Sequence, residues 1–308
     1  MNTSTHEKER SPSVLKYELL LLLMAIIWGS AFPVQSMAMK KGLGPLTFTG
    51  LRFAIGALVL LPLIFWRQNR ADVKAGKPKL PYKACIAAGV CLFGAAVLQQ
   101  MGLIFTSVAN SSFITAFYIL FVPLLGLFVG HKAPKILWLG ILICLAGFYF
   151  LSVTDNFTVS RGDWLTVFCA IFWALQILVI DHAVGNSDPY KVALIQFAVC
   201  AVLSLAAGLK FEECSLELLK SAAGEVLFTG IMSVGVGFTL QVVCQKHCPP
   251  APAAIIMSLE SVFGAIFGYL ILAEVLTIRS VLGCGLSLAG VLLVQLVPMM
   301  RGSRHSKE

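Results

Sequence analysis

Charge is what this sequence has least of. Asp, Glu, Lys and Arg make up 12% of its 308 residues, against 58% apolar residues. A soluble domain carries about 25% charged residues. A chain this poor in charge cannot cover a water-facing surface. That excludes an ordinary soluble domain and makes lipid the solvent for most of the chain. The mean hydropathy of +0.88 agrees.

Catalytic signatures are missing too. There is no H-E-x-x-H, no G-x-S-x-G and no phosphate-cradling G-x-x-x-x-G-K-[ST]. The expectation is therefore a protein that is not an enzyme, has no cofactor and has no built-in ATP drive. The five histidines, His6, His131, His182, His247 and His305, are scattered near loops and tails. Cys244, His247 and Cys248 are the one metal-like group, and they read as ordinary residues at a helix end, so no metal centre is expected. Most of the nine cysteines fall inside apolar runs, where they read as small buried hydrophobes rather than disulfides. Lys plus Arg outnumber Asp plus Glu, 23 to 15, but the excess lies in short loops and not on one face, so nucleic acid is not a partner.

What is present is a series of long apolar runs. About 20 residues are needed to cross the hydrocarbon core as a helix. The runs between polar breaks give ten spans, at roughly 18–39, 44–66, 81–104, 109–130, 135–153, 162–182, 189–209, 221–244, 251–272 and 278–298. The first is too long for a signal core, and its sequence recurs, so it reads as a span. With the N-terminus in the cytoplasm, the inner segments hold 16 Lys and Arg, the outer segments hold 6, and Arg52 lies inside a span. That asymmetry places both termini in the cytoplasm.

The chain also repeats itself. "PLTFTGLRFA" from Pro45 answers "PYKVALIQFA" from Pro189, an offset of 144. "AIIW" ending at Trp28 answers "AIFW" ending at Trp173, and the Leu-Ala-Gly of "LICLAGFYFL" recurs in "LSLAGVLLVQ". Three matches in order at nearly one offset indicate a duplication. Each half holds five spans. Five is odd, so the second half enters the membrane from the opposite side. The fold class is then an all-α polytopic membrane protein: ten transmembrane helices in two inverted five-helix repeats, residues 18–153 and 162–298, flanked by cytoplasmic tails 1–17 and 299–308. Such repeats are frequent in secondary transporters, where the halves rock about a site near mid-membrane. A non-transporting membrane scaffold or lipid-handling protein is the alternative.

Three stretches carry a family likeness: "WGSAFPVQSMAMKKGLGPLTFTGLRF", "SSFITAFYILFVPLLGLFVG" and "MSLESVFGAIFGYLILAEVLTIRSVLGCGLSLAGVLL". In these the sequence resembles the drug/metabolite transporter superfamily and, within it, the ten-helix EamA family. The resemblance covers about residues 18–298. It implies export or exchange of small metabolites by alternating access, a central cavity enclosed by the first four helices of each half, and fifth and tenth helices that brace the outside. One position departs from it. Where the family often has an acidic residue in both halves, Glu274 answers His131.

Polar side chains inside the spans are the site candidates, because a charge near mid-bilayer is costly and faces a cavity or a partner. Glu260 lies about nine residues, roughly 13–14 Å, into its span, and Arg52 about eight residues, roughly 12 Å, into its own. Glu260 has three roles open to it: proton uptake, binding a substrate ammonium, or structural pairing with Arg52 or backbone donors. Arg52 can hold a carboxylate through two parallel hydrogen bonds. Its repeat equivalent is Gln196. Trp28, Gln99, Asn110, Tyr118, Trp173, Gln176, Gln196 and Gln241 join Arg52 and Glu260 as the expected cavity wall, and Gln35, Gln100, Ser111 and Thr115 are further polar candidates. Pro33, Pro123, Gly126, Gly130, Gly235, Gly237, Gly264 and Gly268 are expected hinge or close-packing positions. The expected partners are a small-molecule substrate and the lipid bilayer, with homo-oligomer formation left open. The expected location is the plasma (inner) membrane of a bacterium. An exporter of amino acids or related compounds is the reading these observations lead to.

Overall fold

Proline, serine and aspartate set where many of the helices begin. The computed structural model describes residues 12–70, 80–131, 133–152, 160–185, 187–275 and 277–305. Helices α2 (Pro45–Arg70) and α8 (Pro189–Phe211) start on prolines at equivalent points of the two halves. Proline suits that position, since its missing N–H is one the first turn leaves unpaired anyway. Asp188 caps α8 by accepting from the Tyr190 N–H at 3.0 Å. A capping box starts α7 (Arg161–Val184): Ser160 Oγ accepts from Asp163 N at 3.1 Å, and Asp163 returns the bond to Ser160 N at 2.7 Å.

The first and third spans are the single helices α1 (Pro12–Lys40) and α3 (Tyr82–Phe105). The fourth is two pieces, α4 (Val108–Thr115) and α5 (Tyr118–Phe128), and the fifth is α6 (Lys135–Ser152). A short helix, α9 (Leu216–Ser221), follows α8. The eighth span runs through α10 (Ala223–Phe228), a π-helical stretch (Thr229–Phe238) and α11 (Thr239–Gln245). The ninth is again two pieces, α12 (Pro250–Met257) and α13 (Glu260–Leu272), and α14 (Ile278–His305) is the tenth. Eight of these spans are long and apolar enough to cross a membrane, and α6 and α14 contribute the shorter apolar stretches Lys135–Phe150 and Val281–Val294. The chain is thus an all-helical membrane protein of ten spans. Helix α1 begins earlier than expected and α14 continues to His305, so the expected tails are largely helical where described; residues 1–11, and Lys74, Lys77 and Lys79 of the basic linker, lie outside the described residues.

The packing pairs one half with the other. Helix α2 lies along α8, and α6 along α14, each joining repeat equivalents. Helix α1 packs on α13 and the π-helical stretch, and α7 on α5, α4 and α3. The second set repeats the first with the halves exchanged. The α6–α14 seam is built of small residues: a Cβ on Gly147 would meet the Ser287 backbone N at 2.6 Å, and one on Gly290 would meet the Gly140 carbonyl at 2.7 Å. Small residues let backbones close in where lipid supplies no hydrophobic drive. The outer faces of α2, α8 and α14 expose Leu58, Phe65, Val202, Leu209, Val281 and Leu288, as lipid contact requires.

The helix irregularities fall away from the expected prolines. Helix α1 runs unbroken through Pro33. The fourth span breaks at Ala116–Phe117, before Pro123, and the ninth breaks at the equivalent Ser258–Leu259. Both breaks are 3₁₀ turns, with Phe117 N donating to Ile114 O and Leu259 N to Ile256 O. In the ninth span a serine hydroxyl supplies a cause, because it competes for the carbonyl that Leu259 N would reach in a regular helix: Ser258 Oγ donates to Ile255 O at 2.7 Å. Ser261 Oγ then reaches across to Ser112 O at 3.2 Å, which ties the two broken spans together. Gly130 also sits elsewhere than expected. It is not on a helix face but in a left-handed turn, φ +86°, after α5.

Candidate functional site

The breaks and the π-helical stretch surround one narrow pocket inside the bundle. Helix α1 contributes Trp28, Phe32 and Gln35, which lie one turn apart on one face. Helix α2 adds Arg52 and α3 adds Gln99. Thr115 and Tyr118 flank the break in the fourth span, and Glu260 follows the break in the ninth. Trp173 and Ile177 come from α7, Ser233 and Phe238 from the π-helical stretch, and Gln241 from α11. Residues of both halves therefore share one wall.

Arg52 is buried, at 2% exposure. Its Nη1–H donates to Gln35 Oε1 at 2.7 Å. Gln100 Nε2 donates to the same oxygen and so holds Gln35 in place. The guanidinium carbon lies 5.4 Å from the Phe48 ring centre and 5.2 Å from that of Phe53, within cation–π range. Its Nε and Nη2 have no hydrogen-bond partner. Among the described residues, no carboxylate forms an ion pair with it.

Glu260, at 4% exposure, is the one acidic side chain on the pocket wall among the described residues. Tyr118 is its polar neighbour. Pairing of Glu260 with Arg52, one of the three roles read from the sequence, is absent among the described residues. The pocket thus keeps a buried cation and a buried carboxylate that do not neutralise one another in an ion pair.

An aromatic cluster fills the middle. Phe238 lies 4.5 Å from Trp28 and stacks on Trp173 at 5.4 Å with 21° between the rings. The two repeat-related tryptophans are 6.2 Å apart. Trp28 Nε1–H donates to the Ser233 carbonyl at 3.2 Å, whereas Trp173 Nε1 has no partner. Gly237 leaves space for the indole, since a Cβ there would sit 2.7 Å from Trp28 Nε1.

Of the ten side chains expected to line a cavity, seven are on this wall: Trp28, Arg52, Gln99, Tyr118, Trp173, Gln241 and Glu260. Gln176 and Gln196 stand behind it. Gln176 exchanges two hydrogen bonds with Gln241, at 3.0 and 3.4 Å, and donates to Gln196 at 3.2 Å. Asn110 is in the first turn of α4, where its backbone N–H donates to the capping Ser107 hydroxyl. Phe32, Ile177 and Phe238 were not anticipated, because an apolar side chain on an apolar helix carries no distinguishing mark. Among the described residues no cluster of His, Cys, Asp and Glu could hold a metal. His247 instead stacks on Tyr17, with ring centres 3.9 Å apart.

Both ends of the bundle are fastened. At the end away from the termini, Lys41 pairs with Glu225 and donates to Ser221 O, while the Glu212 carboxylate caps α2 by accepting from Leu46 N at 2.8 Å and Thr47 N at 2.7 Å. At the termini end, Lys246 donates to Ser187 O at 2.7 Å, Gln245 to Ile177 O at 3.1 Å, and His131 lies 3.6 Å from Asp181.

Comparison with known proteins gives a consistent picture. Residues 15–153 and 160–296 each match the EamA-like transporter family. An uncharacterized transporter of Archaeoglobus fulgidus is 32% identical over 280 residues, covering 91% of this chain and 85% of that protein. The uncharacterized transporter YoaV of Bacillus subtilis is 23% identical over 287 residues, covering 90% and 96%. One protein crystal structure superposes with a TM-score of 0.75 at 18% identity, over 92% of this chain and 97% of the other, which is a likeness of fold.

Proposed function

The chain belongs to the EamA-like transporter family, and on that premise we propose that it is a secondary transporter that exports amino acids or related small metabolites by alternating access. The observation that carries this reading is the pocket between the halves. It is buried in the membrane part of the bundle, and it holds Arg52 and Glu260 without an ion pair between them. A scaffold gains nothing from that arrangement, since a buried cation without a counter-charge costs several kcal/mol. A substrate that carries its own charges offsets the cost when it binds.

The fastened ends support a closed stage of the cycle. Opening toward one side breaks Lys41–Glu225 and the Glu212 cap; opening toward the other breaks the His131–Asp181 contact, while the Lys246 and Gln245 contacts stay within the second half. The 3₁₀ breaks and the π-helical stretch are where the spans yield, because their backbone hydrogen bonding is already irregular. In this reading the two five-span halves, residues 18–153 and 162–298, rock against one another, with both termini on the cytoplasmic face of a bacterial plasma membrane.

Counterflow in proteoliposomes tests the proposal. The expected result is exchange of at least one amino acid or related compound from a panel that also includes sugars and cationic drugs. No flux of any panel member from a folded sample sinks it. Glu260 is the coupling candidate within the same reading. Glu260→Gln is expected to abolish uptake driven by a pH gradient while leaving counterflow, and survival of both makes the carboxylate structural.

A further inference from the structure

We propose that the pocket selects its substrate by a carboxylate group, and that the free edge of Arg52 is what binds it. The inference rests on the transporter reading above and deepens it to a substrate class. A guanidinium offers five N–H donors in a rigid fork. The structure commits one nitrogen of Arg52, Nη1, to Gln35 Oε1. The two nitrogens left without partners are Nε and Nη2. They are not a random pair. Their N–H bonds lie side by side along one edge of the plane, and that edge matches the two oxygens of a carboxylate.

The surroundings hold this edge ready. Gln35 is itself fixed by Gln100, so the guanidinium cannot rotate without breaking its only hydrogen bond. Phe48 and Phe53 pack near the cation but give it no acceptor oxygen. Leaving a buried cation with two orphaned donors is destabilising, and a protein-supplied carboxylate would remove the cost at once. Glu260 lines the same pocket and does not play that part. The second half points the same way by contrast. At the position equivalent to Arg52 it has Gln196, which carries no charge and whose amide oxygen accepts from Gln176 behind the wall. The free cation is therefore a feature of one side of the pocket, and the substrate binds in one orientation, carboxylate toward α2.

The edge has no solvent-accessible area in this closed conformer. Substrate reaches it when the halves part, and the carboxylate then replaces water at the guanidinium. Bare cations are disfavoured there, and an amide in place of the carboxylate lacks both the charge and the second acceptor oxygen.

The test uses the full-length protein. Thermal stabilisation and counterflow are measured with the proteinogenic amino acids, their amides, the corresponding decarboxylated amines and simple monocarboxylates. The expected result is that every compound bound or exchanged carries a carboxylate, and that its amide binds at least tenfold more weakly. Arg52→Lys keeps the charge but loses the fork, and is expected to weaken binding at least tenfold. Arg52→Gln is expected to lose binding while the unliganded protein melts no lower than wild type. A purely structural arginine gives the reverse: a lower melting temperature with affinity retained by whatever folds. Flux of an amine or amide that matches its parent acid, or flux unaffected by Arg52→Lys, overturns the inference and leaves the transporter reading standing. No flux with any solute overturns both.

Discussion

Trp28 Nε1–H donates to the Ser233 carbonyl at 3.2 Å, and so fastens the first helix of one half to the π-helical stretch of the other. The bond is buried and spans 205 residues of sequence. It lies on the pocket wall, beside the aromatic contact between Trp28 and Phe238. Trp28→Phe keeps an aromatic ring against Phe238 and removes the donor. A typical buried hydrogen bond contributes about 0.5–1.5 kcal/mol. The expected outcome is a stability loss of that size with a change in counterflow rate. A variant that melts and exchanges like wild type removes the bond from any part in holding the halves.

The glutamines behind the wall make a second test. Gln176 serves Gln241 and Gln196 at once, and all three are buried. Gln176→Leu leaves the amides of both neighbours short of partners, which costs about 1–3 kcal/mol per orphaned group. Adding Gln241→Leu removes one of the orphans. The double variant is therefore expected to be less destabilised than the sum of the singles, as unfolding in detergent would measure. Strict additivity means that the three do not act as a network.

The spans were legible because a bilayer imposes a plain rule on composition: the expected 135–153 and 189–209 are the observed Lys135–Ser152 and Pro189–Phe211. Arg52 and Glu260 were legible for the complementary reason, since a charge inside such a run stands out. The irregularities were legible only in part: Gly235 and Gly237, expected hinge positions, fall in the π-helical stretch. Proline marked Pro33 as a hinge, yet α1 continues through it, while the breaks fall at Ala116–Phe117 and Ser258–Leu259 without a proline at the break. At Ser258–Leu259 the decision rests on a serine hydroxyl capturing the Ile255 carbonyl, which has no period in the sequence. Phe238 was invisible for a simpler reason. It is one of 21 phenylalanines, and only the fold sets it between two tryptophans.

Glu274 predicts a pH dependence. It lies in the link before α14, outside the spans, and burial raises its carboxyl above the ordinary value of 4.5 while nearby Lys40 opposes the shift. The folded state then binds the proton more tightly than the unfolded state. Its contribution is fully present below about pH 4.5 and is lost as pH rises through the folded value. Melting temperatures measured from pH 4.5 to 8 should show wild type losing stability relative to Glu274→Gln, with the gap levelling off at high pH. Lys40→Met should widen it. A gap that closes as pH rises contradicts the burial argument.

Ala273 is, among the described residues, the single non-glycine with positive φ, at 54°. Counting back 143 residues gives Gly130, also left-handed, at +86°. Both follow the second piece of a broken span, so the two halves use one turn with different residues. An L-residue in this conformation costs roughly 1–2 kcal/mol, against about 0.5–1 kcal/mol of extra chain entropy for glycine. Ala273→Gly should therefore stabilise by up to about 1 kcal/mol, and Gly130→Ala should destabilise by about as much. Sterics do not confuse the second change, because a Cβ on Gly130 meets nothing within 4 Å. Opposite signs in unfolding measurements on the two variants are the expected result. The same sign for both would mean that the two turns are not backbone equivalents, and the duplication would then stop short of these links.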